Sequence, residues 1–134
     1  GAQSEVYLNT ISSAGASVLT RTMGGSFNDG VKSIIQSHGD GGFVFTGHKH
    51  DEQTDDNIWI VRLSSTLDTI WDKVYGGEKN DNGASIMNTF DGGFIVTGST
   101  MSFEPEENQS QIILLKIAAD GCVWEDGLLI TCGL

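Results

Sequence analysis

The chain has 134 residues, the length of one domain that can bury its own core. Hydrophobic residues make up 38%, and 18 glycines with a single proline are typical of short strands joined by tight turns, so the composition argues against disorder. The net charge is −11 and no basic run is present, which excludes nucleic acid and anionic membrane surfaces as expected partners. No apolar stretch approaches the roughly 20 residues of a membrane-spanning helix, so membrane insertion is not expected either.

The sequence repeats itself with a period of about 50 residues. Gly-Gly-x-x-Asn-Asp at 24–29 returns at 76–81, and Asp-Gly-Gly-Phe at the start of 40–47 returns at the start of 91–98. The second pair of segments shares six identities in eight positions. Such self-similarity is typical of solenoids and propellers. We therefore predict a single repeat domain of about two and a half repeats over residues 1–134, with a half unit, two full units and a tail at 1–23, 24–75, 76–126 and 127–134.

Each full unit is expected to contain four short strands in succession. In the first full unit we predict them near 31–37, 42–47, 58–63 and 69–75. Asp-Gly-Gly at 40–42 supplies the positive φ angles of a two-residue hairpin turn between the first two strands. The second and third strands are apolar on both faces, as in sheets covered on both sides. No window sustains a helical period, so we predict an all-β protein with almost no helix.

The end of one unit and the middle of the next complete the repeated pattern, with Trp-Asp-Lys-Val-Tyr-Gly-Gly at 71–77 and Asp-Gly-Gly-Phe-Ile-Val-Thr-Gly at 91–98. These segments resemble bacterial and archaeal propeller repeats whose unit reads roughly W-x-K-T-Y-G-G, then D-G-G-F-I-V-T-G, then an apolar strand ending in K-L. The resemblance covers nearly the whole chain, although Leu19 replaces the anchoring tryptophan in the first partial copy. It implies four-stranded antiparallel blades of the β-propeller type, in secreted or surface-attached proteins that bind or scaffold.

The number of units leaves the quaternary arrangement open, because propellers close with about four to eight blades. Copies of the chain can assemble as a homo-oligomer that completes a ring, the chain can be a piece of a longer propeller, or the units can stack openly with protected edges. The resemblance implies an extracellular or cell-surface location. Residues 1–20 lack the pattern of a signal peptide, which leaves its earlier removal open.

Histidines and carboxylates after the second strand are the candidates for metal binding. His48 and His50 lie on one face of a strand and could act as ligands with Asp51 or Asp55. Calcium prefers six to eight oxygen ligands, so the loop with Asp51, Asp55 and Asp56 is the better candidate, but its spacing matches no defined calcium loop. We therefore predict no metal site and no cofactor, and we treat these three aspartates as weak cation candidates.

Acidic and Asn-Asp sequences recur in the second unit. The loop equivalent to the aspartate loop carries Glu104, Glu106 and Glu107. Asn-Asp at 80–81 resembles part of a calcium loop, but its counterpart at 28–29 occupies the same place in the first unit. This recurrence favours a structural turn whose side chains cap backbone amides.

No catalytic constellation is found in the sequence. Neither a G-x-S-x-G elbow nor a cysteine with a plausible histidine partner occurs, and the paired glycines lack the Gly-Lys-Ser/Thr of a phosphate loop. We therefore predict a protein that is not an enzyme. Cys122 and Cys132 flank the last strand and could cross-link a terminal hairpin in an exported protein, or remain reduced thiols.

The leading functional interpretation is a non-enzymatic binding or scaffold module for an unspecified protein or carbohydrate. The first alternative is a lectin assembled from few-blade protomers, in which Trp59, Trp71 or Trp124 stacks on sugar rings. Burial of these tryptophans in the core is the competing interpretation. The second alternative is a purely structural spacer.

Overall fold

The computed structural model describes residues 4–103, 109–125 and 128–129, and the side chains of 4–103 and 109–123. These residues form antiparallel sheets without any helix, which confirms the all-β prediction. Accordingly, no apolar helix long enough for a membrane span occurs among them. The strands are β1 (Val6–Ile11), β2 (Ser17–Met23), β3 (Gly30–Gln36), β4 (Phe43–Asp51), β5 (Asp55–Leu63), β6 (Thr69–Tyr75), β7 (Asp81–Asn88), β8 (Phe94–Thr100), β9 (Gln111–Ile117), β10 (Trp124–Glu125) and β11 (Leu128–Leu129).

The sheets follow the repeat. The first full unit is a four-stranded sheet of order β3-β4-β5-β6, and the half unit before it is the pair β1-β2. The second full unit supplies the sheet β7-β8-β9, and a bridge between Ile117 and Val123 links β9 to the segment that enters β10. Strand β10 pairs with β11, which lies in the predicted tail. All four strands predicted for the first unit are confirmed, and β4 and β5 extend further, to the turn at 52–54.

The turn between β3 and β4 differs from the prediction of a two-residue hairpin. The backbone N–H of Ser37 donates to the Gly42 carbonyl at 2.9 Å, so the loop is wider than two residues. Asp40 closes this loop, because its Oδ1 accepts from the Ser37 hydroxyl at 2.5 Å and from the Gly42 N–H at 2.9 Å. Gly41 has the expected positive φ of 69°, but side-chain bonds of the aspartate replace the tight backbone turn.

Glycine at the end of the repeated Thr-Gly pair is required by the close approach of two strands. A Cβ at Gly47 would lie 1.9 Å from the carbonyl oxygen of Gly30, and a Cβ at Gly98 would lie 2.0 Å from that of Asn82. Both approaches adjoin an irregularity in the strand register, at the same place in each unit. The bulge therefore recurs with the sequence.

The four-stranded sheet lies between its two neighbours and has a hydrophobic core on each face. Side chains alternate along β5, so that Ile58 and Ile60 face one core and Trp59 and Val61 face the other. The core shared with β7–β9 contains Val44, Ile58, Ile60, Ile86, Phe94, Val96 and Ile117. The core shared with β1–β2 contains Val6, Phe45, Trp59, Val61, Leu63 and Leu67. The prediction that the central strands are covered on both faces is thus confirmed for β4 and β5.

Candidate functional site

Each Gly-Gly-x-x-Asn-Asp segment ends in a buried aspartate that bonds backbone amides of its own unit. Asp29 accepts hydrogen bonds from the N–H of Gly25 at 2.6 Å and from the N–H of His50 at 3.1 Å. Asp81 accepts from the N–H of Gly77 at 2.8 Å. Both aspartates are buried, so these bonds satisfy charges that have left water. The prediction that these residues cap backbone amides is confirmed.

The asparagines of the same segments reach back to the preceding unit. Asn28 Oδ1 accepts from the N–H of Ser4 at 3.0 Å, and Asn80 Oδ1 accepts from the N–H of Asp56 at 3.1 Å. Each bond uses the carboxamide oxygen, which leaves Nδ2 as a donor. The asparagine therefore ties each turn to the start of the third strand of the preceding unit.

A polar pocket of about 580 Å³ opens beside the second of these junctions. We name it the His48 pocket. It is built by the turn before β3, the end of β4, the start of β5 and the turn before β7, and its lining residues are Phe27, Asn28, His48, His50, Asp55, Asp56 and Asn80. Its volume lies in the range of small-molecule pockets, roughly 300–1,000 Å³.

One wall of the His48 pocket is held by His50. Its Nδ1 lies 2.8 Å from Asp56 Oδ1, and its ring meets Phe27 edge to face with 5.4 Å between the ring centroids. The backbone N–H of the same histidine donates to Asp29. Two contacts therefore orient the side chain, and the third fixes the backbone that carries it.

His48 itself is held by shape rather than by hydrogen bonds. A Cβ at Gly30 would lie 2.6 Å from His48 Cε1, so the imidazole lies over a position that only glycine leaves vacant. Nδ1 of His48 is buried and has no hydrogen-bond partner among the described residues. A buried ring nitrogen without a partner costs about 1–3 kcal/mol.

The three aspartates named as weak cation candidates are not brought together around one point. Asp51 Oδ1 accepts from the N–H of Gln53 at 2.8 Å in the turn between β4 and β5, while Asp56 pairs with His50. Asp55 is exposed at the edge of the pocket and has a positive φ of 56°. In the described part of the chain, no group of three or more His, Cys, Asp or Glu side chains is arranged to hold a metal ion.

The second predicted acidic loop is the one that carries three glutamates. Glu104, Glu106 and Glu107 lie outside the described residues. The loop that precedes them contains Ser102, whose hydroxyl donates to Asp81 Oδ2 at 2.7 Å. In the second unit the buried aspartate is therefore bonded by a hydroxyl from the end of β8.

The tryptophans proposed for sugar stacking have other roles. Trp59 is buried in the core, and its Nε1 donates to Asp72 Oδ1 at 2.6 Å, so the lectin interpretation is wrong for this residue. Trp71 is half-buried and meets Phe94 of the next unit with 6.4 Å between the ring centroids. The side chain of Trp124 lies outside the described residues. Both tryptophans with described side chains serve the cores between sheets.

The structure describes one of the two cysteines of the predicted disulfide. Cys122 is buried and disulfide-bonded. Its predicted partner Cys132 lies outside the described residues, so the pairing of these two cysteines stays a prediction.

Sequence analysis found His48, His50 and the aspartates, but it missed Phe27, Asn28 and Asn80 as members of the same pocket. Phe27 and Asn28 are brought beside the histidines by the pairing of β3 with β4, and Asn80 joins them from the next unit. A signal was present in the repeat, because Phe27 and His48 differ in type from their counterparts, Lys79 and Ser99.

No protein-family model matches the sequence, and no curated protein is significantly similar to it. The resemblance to propeller repeats thus stays a prediction.

Proposed function

We propose that the chain is a non-enzymatic binding or scaffold module whose sheets are β-propeller-type blades that stack face to face. One observation carries the proposal: the sheet β7–β9 exposes an apolar face, whereas the equivalent face of the sheet β3–β6 is buried. The face of β3–β6 that packs against β7–β9 therefore has an equivalent on the outer face of β7–β9, and that equivalent face is exposed.

The exposed face is seen most clearly on β9. Ile58 and Ile60 of β5 are fully buried against the next sheet, whereas their counterparts Ile112 and Leu114 are 88% and 63% exposed. Met87 of β7 is exposed as well, while its counterpart Ile35 packs against a core. Several exposed apolar side chains on one face of a sheet indicate an interaction surface.

The opposite end of the stack has the same property. Tyr7 of β1 is 65% exposed, although its counterpart Trp59 is buried. Ile11 is exposed where Leu63 is buried. Two apolar faces at opposite ends suit head-to-tail addition of further units, and this supports a homo-oligomer that completes a ring.

The ligand-binding part of the proposal concerns a protein or a carbohydrate at the loops between units, and a purely structural spacer is the alternative. We propose an extracellular or cell-surface location. The disulfide of Cys122 supports it, because disulfides persist in oxidising compartments.

Light scattering after size exclusion, at increasing protein concentration, tests the stacking of copies. We expect a mass above that of one chain, and a return to one chain in Leu114→Glu because a carboxylate would be buried in the interface. The matched control is Phe90→Glu, at a fully exposed residue in the turn between β7 and β8, which should leave the mass unchanged. A wild-type chain that stays monomeric at every concentration would contradict ring formation by copies of this chain.

A further inference from the structure

The two full units differ at several positions that line the His48 pocket. Asn28 and Asp29 have identical counterparts; the asparagines make bonds that join the units, and the aspartates bond amides within their own unit. The differing positions and their counterparts are Phe27 and Lys79, Gly30 and Asn82, His48 and Ser99, and His50 and Met101. The junction forms in the second unit without the first unit's residues, so the repeated fold does not require them. Local departures of this kind are expected at functional sites.

Hydrogen-bond donors remain available in the pocket. The Nδ2 groups of Asn28 and Asn80 are not used by the bonds of their carboxamide oxygens. The imidazole of His48 lines the same space, while its Nδ1 is buried. The donors are therefore the two asparagine amides, one from the turn before β3 and one from the turn before β7.

Acceptors face the same space. The carboxylate of Asp55 is exposed at the pocket edge, and Asp56 uses Oδ1 for His50, which leaves Oδ2 as an acceptor. Phe27 is half-buried and supplies an apolar wall beside these polar groups. The pocket therefore combines donors, acceptors and an aromatic surface.

We propose that the His48 pocket binds a neutral sugar ring. Sugar hydroxyls donate and accept, so they can donate to Asp55 and Asp56 and accept from Asn28 and Asn80. The C–H face of a pyranose is apolar and suits the wall formed by Phe27. This proposal rests on the binding role proposed above, but not on the stacking of separate copies.

Other ligand classes match these groups less well. An anion would meet Asp55 and Asp56 in a chain of net charge −11. A metal ion would need three converging ligands, and the described residues provide no such group. A simple cation offers no acceptor to the amide donors of Asn28 and Asn80, so it would use only the carboxylates of the pocket.

The test is an NMR titration of the intact chain with glucose, galactose, mannose, fucose and N-acetylglucosamine, each added separately. We expect at least one sugar to shift the side-chain amide signals of Asn28 and Asn80 and the imidazole signals of His48 saturably. A dissociation constant of about 1 mM corresponds to the free energy of a few good contacts. His48→Ser and Phe27→Lys, which introduce the residues of the second unit, should each weaken binding about tenfold.

The matched control is Ser99→His, which places histidine at the equivalent position of the other unit and should leave the affinity unchanged. Backbone amide spectra establish that each variant is folded. The proposal is overturned if no sugar shifts these signals or if both pocket variants bind like the wild type. Ethylammonium chloride is the cation probe: if it shifts the signals and no sugar does, the pocket binds a cation and not a sugar. A titration in which no sugar binds would say nothing about the stacking of copies, which the mass measurement tests separately. A monomeric chain leaves the pocket intact, because all of its residues come from one chain.

Discussion

Strands β5 and β9 occupy the same place in consecutive units, yet one is covered on both faces and the other on one. Both are apolar at nearly every position, from Ile58 to Leu63 and from Ile112 to Ile117. Their difference in exposure comes from the neighbouring sheets: β5 lies between two of them, and β9 has a described neighbouring sheet on one side. The sequence of an apolar strand thus indicates how many of its faces can be buried. The sheets that pack against the strand decide how many of them are buried.

Truncation of equivalent residues on β5 and β9 should give the largest difference between the two strands. Ile60→Ala should lower the free energy of unfolding by about 2–5 kcal/mol, because it leaves a cavity between two sheets. Leu114→Ala at the counterpart position should change it by less than about 0.5 kcal/mol in dilute, monomeric protein. Urea unfolding followed by tryptophan fluorescence measures both. Equal losses would show that the face of β9 is covered in solution as well.

The two buried aspartates of the Asn-Asp pairs, Asp29 and Asp81, offer a smaller contrast. Asp81 is fully buried and is bonded by the hydroxyls of Thr100 and Ser102 besides the Gly77 N–H, whereas Asp29 has two backbone donors. Each donor left without a partner costs about 1–3 kcal/mol. Asp81→Ala should therefore destabilise the chain more than Asp29→Ala in the same urea experiment. The reverse order would mean that the hydroxyl bonds of the second unit contribute little.

The smallest expected effect concerns the turns after the first strand of each unit. The hydroxyl of Thr89 and the ammonium group of Lys116, 2.9 Å away, hold the pKa of Asp91 well below its ordinary value of 3.8. The Ser37 hydroxyl and the Gly42 amide do the same for the pKa of Asp40, together with Arg62.

A carboxyl group with a lowered pKa in the folded state stabilises the fold above its unfolded pKa, and this contribution is lost as the pH falls through the folded value. We therefore expect stability to decrease below about pH 4, with a shallower decrease in Asp91→Asn and in Asp40→Asn. Thermal unfolding between pH 6 and pH 2.5 measures the slopes. Because the residues belong to different units, the double variant should flatten the curve by the sum of the two effects. An unchanged slope in all variants would show that these turns do not contribute to acid sensitivity.

Several features of the fold were predictable because they depend on local chemistry. The repeat located the four strands of the first full unit, although β4 and β5 extend further than predicted, and glycine at positions such as Gly41 marked the positive φ angles. The loop that includes Asp40 was predicted as too tight, since side-chain hydrogen bonds that close a turn are not visible in a glycine pattern. Part of the candidate site was found through His48 and His50, but its other half was missed.

The sequence by itself determined the all-β class, the period of the units and the capping role of the Asn-Asp pairs, because strand patterns, turn residues and recurrence are properties of short segments. Only the tertiary structure decided which apolar faces are covered and that Phe27, His48 and Asn80 share one pocket. The reason is physical: burial and pocket formation depend on contacts between residues distant in the chain, and these contacts exist only once the strands have paired and the sheets have stacked.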